Sequence, residues 1–347
     1  MTSTSELVSP GLIRDFRLIL DAVVDASVIA ISGHTSPDGD ALGSVLGLGL
    51  ALRAHFPLKR VVFLLADKAE VPRIYRFMKG ADDLIPAASF DEDPDLFISV
   101  DCPVSSRLAD AEAVLKRSAH VVCFDHHPAR AEFAEISVRK PAAAACAVLI
   151  QEFLSFASIS ISPDIATCLL CGLVTDTGRF QYQNADPAAF QTASELVRYG
   201  GNPARISLEV YQSQRLEYLH LESIVMGRIK TCAHGRVAYS YAYASDFTQC
   251  GVSVDECDGL VDVVRSVMGV QVCLFVKETD GGRIVRGNLR SKGETDVSSV
   301  AAAFDGGGHA AAAGFSYQGS IFETLKVALP MLAELVGDDP ASVRVEL

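Results

Sequence analysis

Short apolar segments alternate with longer segments of helical pattern through the first two hundred residues. The apolar segments are Val28–Ser32, Arg60–Leu65, Leu96–Val100 and His120–Phe124. Strands of a parallel sheet are buried on both faces because crossover helices cover them, and they are therefore apolar at nearly every position. We predict an N-terminal α/β domain in which helices cover both faces of a parallel sheet.

The segments between these strands support the same fold. Helices are predicted over Pro10–Val24, Ala41–Ala54, Val71–Met78, Val104–Ser118 and Ala142–Phe156. The segment Asp164–Val174 is apolar throughout, so its periodicity alone fits a helix or a strand.

The character of the chain changes near residue 202. Residues 203–228 combine a helical pattern with many charges, and we predict a helical connector there. Strands dominate the rest of the chain, at Arg236–Tyr243, Val270–Glu278 and Arg283–Leu289, before a last helix at Ile321–Val336. We expect an N-terminal domain over residues 1–202 and a smaller C-terminal α/β domain with a mixed sheet over residues 229–347.

Composition and charge limit the partners of the chain. Its 347 residues allow two hydrophobic cores, and its formal net charge is −13. Proteins that bind long nucleic acids use basic surfaces, so we expect any nucleic-acid ligand to be short. The nine cysteines form no framework, and Cys168 and Cys171 lie in an apolar segment that suits buried thiols. We expect a cytoplasmic protein without a signal sequence or a membrane span.

Side chains that bind divalent cations follow several predicted strands. They are His34, Asp38 and Asp40 after the first strand, Asp101 after the third, and Asp125, His126 and His127 after the fourth. The carboxyl ends of parallel strands meet at one edge of the sheet, so these groups are expected to converge. Carboxylates and imidazoles together suit a pair of divalent cations, and this mixture favours Mn²⁺ over Mg²⁺.

Each of these residues also has a simpler interpretation. Asp40 could cap the helix that follows it, and Asp101 could be an ordinary turn residue. Asp176, in the sequence Thr-Asp-Thr-Gly, fits a cap or turn as well as it fits a fourth metal-binding carboxylate. We interpret Asp125 as a group that orients an imidazole rather than a ligand, and we expect one of the two adjacent histidines to face substrate.

Two motifs of the C-terminal half suggest an anion site. Gly306, Gly307 and Gly308 precede His309, and glycines before a helix would present backbone N–H groups to an anion. Arg290 and Ser291 follow a strand, and a guanidinium there would bind phosphate through two hydrogen bonds. A glycine-rich turn without function is the alternative interpretation.

These motifs together resemble the DHH phosphoesterase superfamily, and within it the bacterial oligoribonucleases that also act on 3′-phosphoadenosine 5′-phosphate (pAp). The resemblance extends from His34 to about Phe315. It rests on His34-x-x-x-Asp38-Gly-Asp40, Val-Asp101, Asp125-His-His127, Thr-Asp176-Thr-Gly-x-Phe180, Arg290-Ser291, Asp296-Val-Ser298 and Gly-Gly-Gly-His309. The chain departs from many relatives at Pro141–Cys146, where they carry Ser, Thr and Glu, and at Ala185-Asp186, where a Thr pair is common.

The resemblance implies a site residue by residue. It implies that His34, Asp38 and Asp101 bind one cation and that Asp40, Asp101, His126 and Asp176 bind a second, with Asp101 as the bridge. The implied cofactors are two Mn²⁺ ions, with Mg²⁺ or Co²⁺ as alternatives. The implied catalytic residues are Asp101, Asp125 and His127, and the implied substrate-binding residues are Arg290, Ser291, Gly307, Gly308 and His309.

The resemblance also implies a class of reaction. We expect two-metal hydrolysis of short single-stranded RNA or DNA oligomers, dinucleotides and pAp. A cyclic dinucleotide phosphodiesterase of the c-di-AMP type is the nearest alternative, and a homodimer remains open. An inorganic pyrophosphatase would carry a different second domain, a RecJ-type exonuclease would need further domains, and a nucleotide sensor without activity would lack metal ligands.

Overall fold

A computed structural model describes residues 10–68, 70–128, 132–257 and 259–347 of the chain. The chain divides into two compact units between Ser213 and Gln214. Each unit contains one six-stranded sheet. Within the described ranges, no helix has both the length and the apolar character needed to cross a membrane.

The sheet of the first unit is parallel throughout, as predicted. Its strands are β1 (Val28–Ser32), β2 (Arg60–Leu65), β3 (Leu84–Pro86), β4 (Leu96–Val100), β5 (His120–Asp125) and β6 (Ile136–Arg139). Their order is β3-β2-β1-β4-β5-β6. The direction of strand addition therefore reverses between β1 and β4, and a crevice opens beyond the carboxyl ends of strands at such a reversal.

Among the described residues of this unit, seven α-helices accompany the sheet. They are α1 (Pro10–Asp25), α2 (Gly39–His55), α3 (Ala111–Arg117), α4 (Cys146–Phe156), α5 (Pro163–Asp176), α6 (Pro187–Arg198) and α7 (Pro203–Ile206). Short 3₁₀ turns cover Arg73–Tyr75, Ala81–Asp83, Ala87–Ser89 and Ser105–Leu108, and a π-helical turn covers Ser207–Tyr211. The ambiguous apolar segment before Asp176 is helix α5.

Two of the predicted helices were wrong in extent. The segment Val71–Met78 forms only a 3₁₀ turn, because eight residues that include Pro72 give too little helix to offset the cost of nucleation. The predicted helix Val104–Ser118 divides into a 3₁₀ turn and α3. Ala109 separates the two at φ 43°, which lies outside the right-handed helical region.

Helices cover both faces of the first sheet. One face packs against α1, α2, α4 and α5 in the larger hydrophobic core, and the other packs against α3. Helices α2 and α5 approach each other closely because glycines line their contact. A Cβ atom on Gly43 would lie 2.4 Å from the carbonyl oxygen of Cys168. This close packing places the ends of both helices beside the carboxyl edge of the sheet.

The second unit has a mixed sheet, also as predicted. Its strands are β7 (Lys230–Cys232), β8 (Val237–Ala242), β9 (Val272–Thr279), β10 (Ile284–Ser291), β11 (Gly307–His309) and β12 (Ala312–Gln318), in the order β11-β12-β10-β9-β8-β7. Its helices are α8 (Leu216–Gly227), α9 (Ala244–Cys250), α10 (Leu260–Arg265), α11 (Ser298–Ala302) and α12 (Ile321–Leu335). Only β8 and β9 pair in parallel among the described strands of this sheet.

The glycine run before His309 does not precede a helix, so that expectation was wrong. Gly307–His309 is the edge strand β11, and it pairs with β12. The glycines are needed because the two segments lie so close together: a Cβ atom on Gly306 would lie 2.3 Å from the oxygen of Gly314. Gly308 also adopts φ 140°, which L-residues rarely adopt.

Candidate metal centre

The loop after β1 brings its carboxylates to the sheet edge through a helix cap. The side chain of Asp38 accepts hydrogen bonds from the backbone N–H groups of Asp40 and Ala41, and so caps the N-terminus of α2. Asp40 lies one residue inside the helix and is fully buried. The capping role considered for Asp40 at this helix therefore belongs to Asp38.

The first group of ligands surrounds the imidazole of His34. Its Nε2 atom lies 3.8 Å from Oδ2 of Asp38 and 3.5 Å from Oδ2 of Asp101. His34 and Asp101 are buried, whereas Asp38 is half exposed. One candidate ligand atom from each of the three lies within 4.8 Å of the others, so this group could hold a metal ion.

The second group surrounds the imidazole of His126. Its Nε2 atom lies 3.8 Å from Oδ2 of Asp40, 3.4 Å from Oδ1 of Asp101 and 3.5 Å from Oδ2 of Asp176. Asp101 therefore presents one carboxylate oxygen to each imidazole. The two groups of ligands share this single residue, which is the arrangement that a carboxylate bridging two cations requires.

Backbone carbonyls fix the orientation of both imidazoles. Nδ1 of His34 lies 2.8 Å from the oxygen of Thr35, and Nδ1 of His126 lies 3.1 Å from the oxygen of Ala143. When Nδ1 carries the proton of the neutral ring, it donates a hydrogen bond to the carbonyl, which leaves the lone pair of Nε2 for a cation. Both Nε2 atoms face the carboxylates, so each ring is oriented as a metal ligand would be.

Asp101 is held in a strained conformation with one unsatisfied oxygen. Its φ is 53°, in the left-handed region that non-glycine residues seldom adopt, and its N–H donates to the oxygen of Phe124. Its Oδ1 atom is buried and has no hydrogen-bond partner among the described residues. A buried carboxylate oxygen without a partner is costly, and a cation at this position would remove that cost.

Asp40 also anchors a second helix. Its Oδ2 accepts from the N–H of Cys146 at 2.6 Å, and its Oδ1 accepts from the N–H of Ala147 at 3.0 Å. These are the first amides of α4, whose own N-cap, Ala145, has no side-chain acceptor. The helix N-terminus stabilises the carboxylate in return, so a predicted ligand also fixes the position of α4.

A third group of side chains consists of Asp125 and the two residues that it contacts, His127 and Arg139. Oδ1 of Asp125 lies 2.8 Å from Nδ1 of His127, and Oδ2 accepts from Nη1 of Arg139 at 3.0 Å. Asp125 is therefore held between these two side chains and orients the imidazole. Sequence reasoning missed Arg139, because the edge strand β6 that carries it was not predicted; in the register it pairs directly with Asp125.

Buried charges shift the ionisation of the whole cluster. Burial raises the pKa of Asp176 from 3.8 to about 7, and the neighbouring charges of Asp101 and Asp38 add to this increase. Burial lowers the pKa of His34, but contacts with Asp101 and Asp38 outweigh this effect and raise it to about 10. Burial and the charges of Asp101 and Asp176 also raise the pKa of Asp40. So dense a group of acids needs positive charge to ionise fully.

The predicted substrate-binding residues of the second unit lie together on its sheet. Arg290 of β10 and His309 of β11 both pair with Ala312, from opposite sides of β12. Directly paired residues point to the same face, so the two side chains stand on one face and are separated by the methyl group of Ala312. Ser291 ends β10, and Gly307 and Gly308 precede His309 on the edge strand.

Two models of known domain families match the chain. A model of the N-terminal domain of the DHH family matches residues 28–173, and a model of the DHHA1 domain matches residues 234–336. The chain therefore contains a DHH domain followed by a DHHA1 domain.

Individual proteins are similar over most of the chain. The bifunctional oligoribonuclease and PAP phosphatase NrnA of Thermus thermophilus is 28% identical over 291 residues, which are 84% of this chain and 84% of that protein. The cyclic-di-AMP phosphodiesterase GdpP of Geobacillus thermodenitrificans is 26% identical over 83% of this chain, but the match covers only 44% of GdpP.

A solved structure shares the fold. An exopolyphosphatase-related protein from Bacteroides fragilis superposes with a TM-score of 0.86 over 96% of this chain and 100% of its own. The sequence identity is 24%, so this likeness concerns the fold alone.

Proposed function

We propose that this protein is a metal-dependent phosphoesterase that hydrolyses short oligoribonucleotides, dinucleotides and pAp. The observation that carries the proposal is the position of Asp101, whose two oxygens lie beside His34 and His126. The similarity to NrnA, which extends over most of both chains, supports linear substrates. We propose a cytoplasmic location because all nine cysteines are free thiols, as expected in a reducing compartment.

The residues fit two divalent cations. We assign one cation to His34, Asp38 and Asp101, and the other to Asp40, Asp101, His126 and Asp176. The unpartnered Oδ1 atom of Asp101 and the raised pKa values of Asp40 and Asp176 support this assignment. Mixed imidazole and carboxylate ligands favour Mn²⁺, with Mg²⁺ and Co²⁺ as alternatives. Such cations supply an activated water and neutralise the charge of the phosphate.

The chain itself contributes proton transfer and substrate binding. Asp125 orients the imidazole of His127 through Nδ1, and we assign to the Nε2 atom of His127 the exchange of a proton with the leaving oxygen. We assign phosphate binding to the face of the second unit that carries Arg290 and His309, with Ser291, Gly307 and Gly308 beside them. A guanidinium there matches the geometry of phosphate oxygens.

A hydrolysis panel tests this function. Purified protein with Mn²⁺ is incubated with pAp, a linear dinucleotide, a five-nucleotide RNA, c-di-AMP and pyrophosphate, and the released mononucleotide or phosphate is measured. We expect turnover of pAp and the linear nucleotides and its loss on chelation. Inertness towards every nucleotide would contradict the proposal. A higher kcat/KM for c-di-AMP than for the linear dinucleotide would favour the cyclic dinucleotide alternative.

A further inference from the structure

Arg107 lies against the candidate metal centre without a carboxylate to neutralise it. Its Nη2 atom is 3.2 Å from Nδ1 of His34, and its carbonyl accepts the N–H of Thr35 at 2.7 Å. Among the described residues, no carboxylate lies within 4.0 Å of its guanidinium, whereas Arg139 is paired with Asp125 at 3.0 Å. The side chain is half-buried, on the turn that follows β4 and Asp101.

The contact between Arg107 and His34 places two hydrogen-bond donors against each other when His34 binds a cation. Nδ1 of His34 has two neighbours, the oxygen of Thr35 at 2.8 Å and Nη2 of Arg107 at 3.2 Å. When Nε2 of a neutral imidazole binds a cation, the single proton resides on Nδ1 and donates to the carbonyl. Nη2 then faces an N–H group instead of a lone pair, and the guanidinium cannot lose its own proton.

Electrostatics point to the group that completes the contact. The carboxylates beside His34 would be shared with the cation, so the guanidinium of Arg107 would gain most from a further anion next to it. Phosphate oxygens match the fork of N–H donors that arginine presents. The reacting phosphate of the proposed substrate carries this charge at the same sheet edge.

We propose that Arg107 forms a phosphate-binding subsite beside His34, which takes a non-bridging oxygen of the substrate phosphate. The inference rests on the proposed function and extends it, because it adds a phosphate-binding residue in the first unit to those assigned in the second. If Arg107 only held the ring of His34 in place, its substitution would instead lower the affinity for Mn²⁺.

Two variants and a matched control separate these roles. The variants are R107Q, which removes the charge, and R107K, which keeps the charge but not the fork. The control is R60Q, because Arg60 begins β2 at the opposite edge of the sheet, where it pairs with Glu92. For each protein, Mn²⁺ affinity is measured by titration calorimetry, and the binding of inorganic phosphate is then measured at saturating Mn²⁺.

We expect R107Q to keep the Mn²⁺ affinity of the wild type and to lose about tenfold or more in phosphate affinity. Its kcat/KM for pAp is expected to fall about 10²-fold. R107K should lie between R107Q and the wild type, and R60Q should match the wild type in each measurement. R107K also carries the test if R107Q does not fold.

Two results would overturn the subsite. One is a loss of Mn²⁺ affinity in R107Q as large as that in His34→Ala, with normal phosphate binding once Mn²⁺ is saturating. The other is the absence of phosphate binding to the Mn²⁺-loaded wild type. The binding measurements need no turnover, so a protein that hydrolyses no nucleotide would contradict the proposed function without deciding the subsite.

Discussion

Asp101 reaches both imidazoles because its backbone turns sharply at the end of β4. Its φ of 53° and the hydrogen bond from its N–H to Phe124 keep the carboxylate over the sheet edge. Strain at a single residue persists only where the surrounding structure imposes it, and such residues are concentrated at functional sites. The strained backbone and the unpartnered Oδ1 atom therefore both indicate that Asp101 has a functional role.

We predict that Asp101→Asn abolishes hydrolysis. The substitution keeps the size of the side chain but removes the charge that two cations would share, so we expect kcat/KM to fall by about 10³-fold or more. Turnover of pAp with Mn²⁺ measures the effect, and circular dichroism checks the fold. Asp110→Asn is the matched control, because Asp110 is exposed on the loop that follows. Retained turnover in the Asp101 variant would exclude the bridging role.

We predict that Mn²⁺ binds more tightly as the pH rises. Metal binding needs ionised Asp176, with a pKa raised to about 7, and neutral His34, with a pKa raised to about 10. Both groups must release a proton before the cation binds. For each proton released, the Mn²⁺ affinity rises by up to about tenfold per pH unit until the pH reaches the pKa of that group. The increase in unfolding temperature caused by Mn²⁺ should be larger at about pH 8 than at about pH 6.

In the metal-free protein, Asp176 and His34 change the stability with pH in opposite directions. An acid whose pKa is raised in the folded state holds its proton more strongly there, so Asp176 reduces stability as the pH rises from about 4 to 7. His34 has the opposite effect: its stabilisation is full below its unfolded pKa of 6.5 and is lost towards 10. An effect of Mn²⁺ on unfolding temperature that is independent of pH would contradict the ligand assignment.

Helices α2 and α5 hold their positions through contacts that only glycine permits. Beyond Gly43, a Cβ atom on Gly47 would lie 2.5 Å from the side chain of Leu169. A Cβ atom on Gly172 of α5 would lie 2.7 Å from Oδ1 of Asp40. Close helix packing and the position of a predicted ligand therefore depend on the same small residues.

We predict that Gly43→Ala destabilises the protein although alanine favours helices. The added methyl group would meet the backbone of α5, and overpacking of this kind costs about 1–3 kcal/mol. The gain in helix propensity is at most about 1 kcal/mol. Urea unfolding measures the difference. The control is Gly11→Ala in α1, where no described atom lies within 4 Å of the added Cβ and a stabilising effect is expected. Equal effects of the two substitutions would contradict the close packing.

The net charge of the whole chain would limit the length of the proposed substrate. At −13, the surface repels a long polyanion, so binding must rely on local contacts at the site. Two neutralised phosphates of a single strand give a salt slope of about −1.4, or about a sevenfold loss of affinity between about 50 and 200 mM salt.

We predict that hydrolysis favours short chains at every salt concentration. The kcat/KM for a dinucleotide should exceed that for an RNA of about twenty nucleotides, and the KM of both should change by about tenfold or less over this salt range. Steady-state kinetics at three salt concentrations measure both quantities. A longer RNA that is the better substrate, with a steep salt dependence, would indicate an extended nucleic-acid surface.

The local pattern of the sequence was sufficient to predict most of the first sheet. Strands β1, β2 and β4 begin and end at the predicted residues, because nearly complete burial makes most of their positions apolar. The short strands β3 and β6 were missed, since three or four residues carry too little periodicity to be recognised. The glycine run was assigned to the wrong element, because its glycines allow β11 to lie close against the next strand, β12, and do not precede a helix.

The sequence by itself determined that polar ligands follow buried parallel strands, and therefore that they converge at one edge. The tertiary structure decided what each ligand contacts. Asp40 binds the first amides of α4, and Arg139 reaches Asp125. These contacts join residues that are separated in the chain, and the position of Asp101 depends on its unusual backbone conformation. Local periodicity reports burial and secondary structure, but long-range contacts are fixed only when the helices and strands pack.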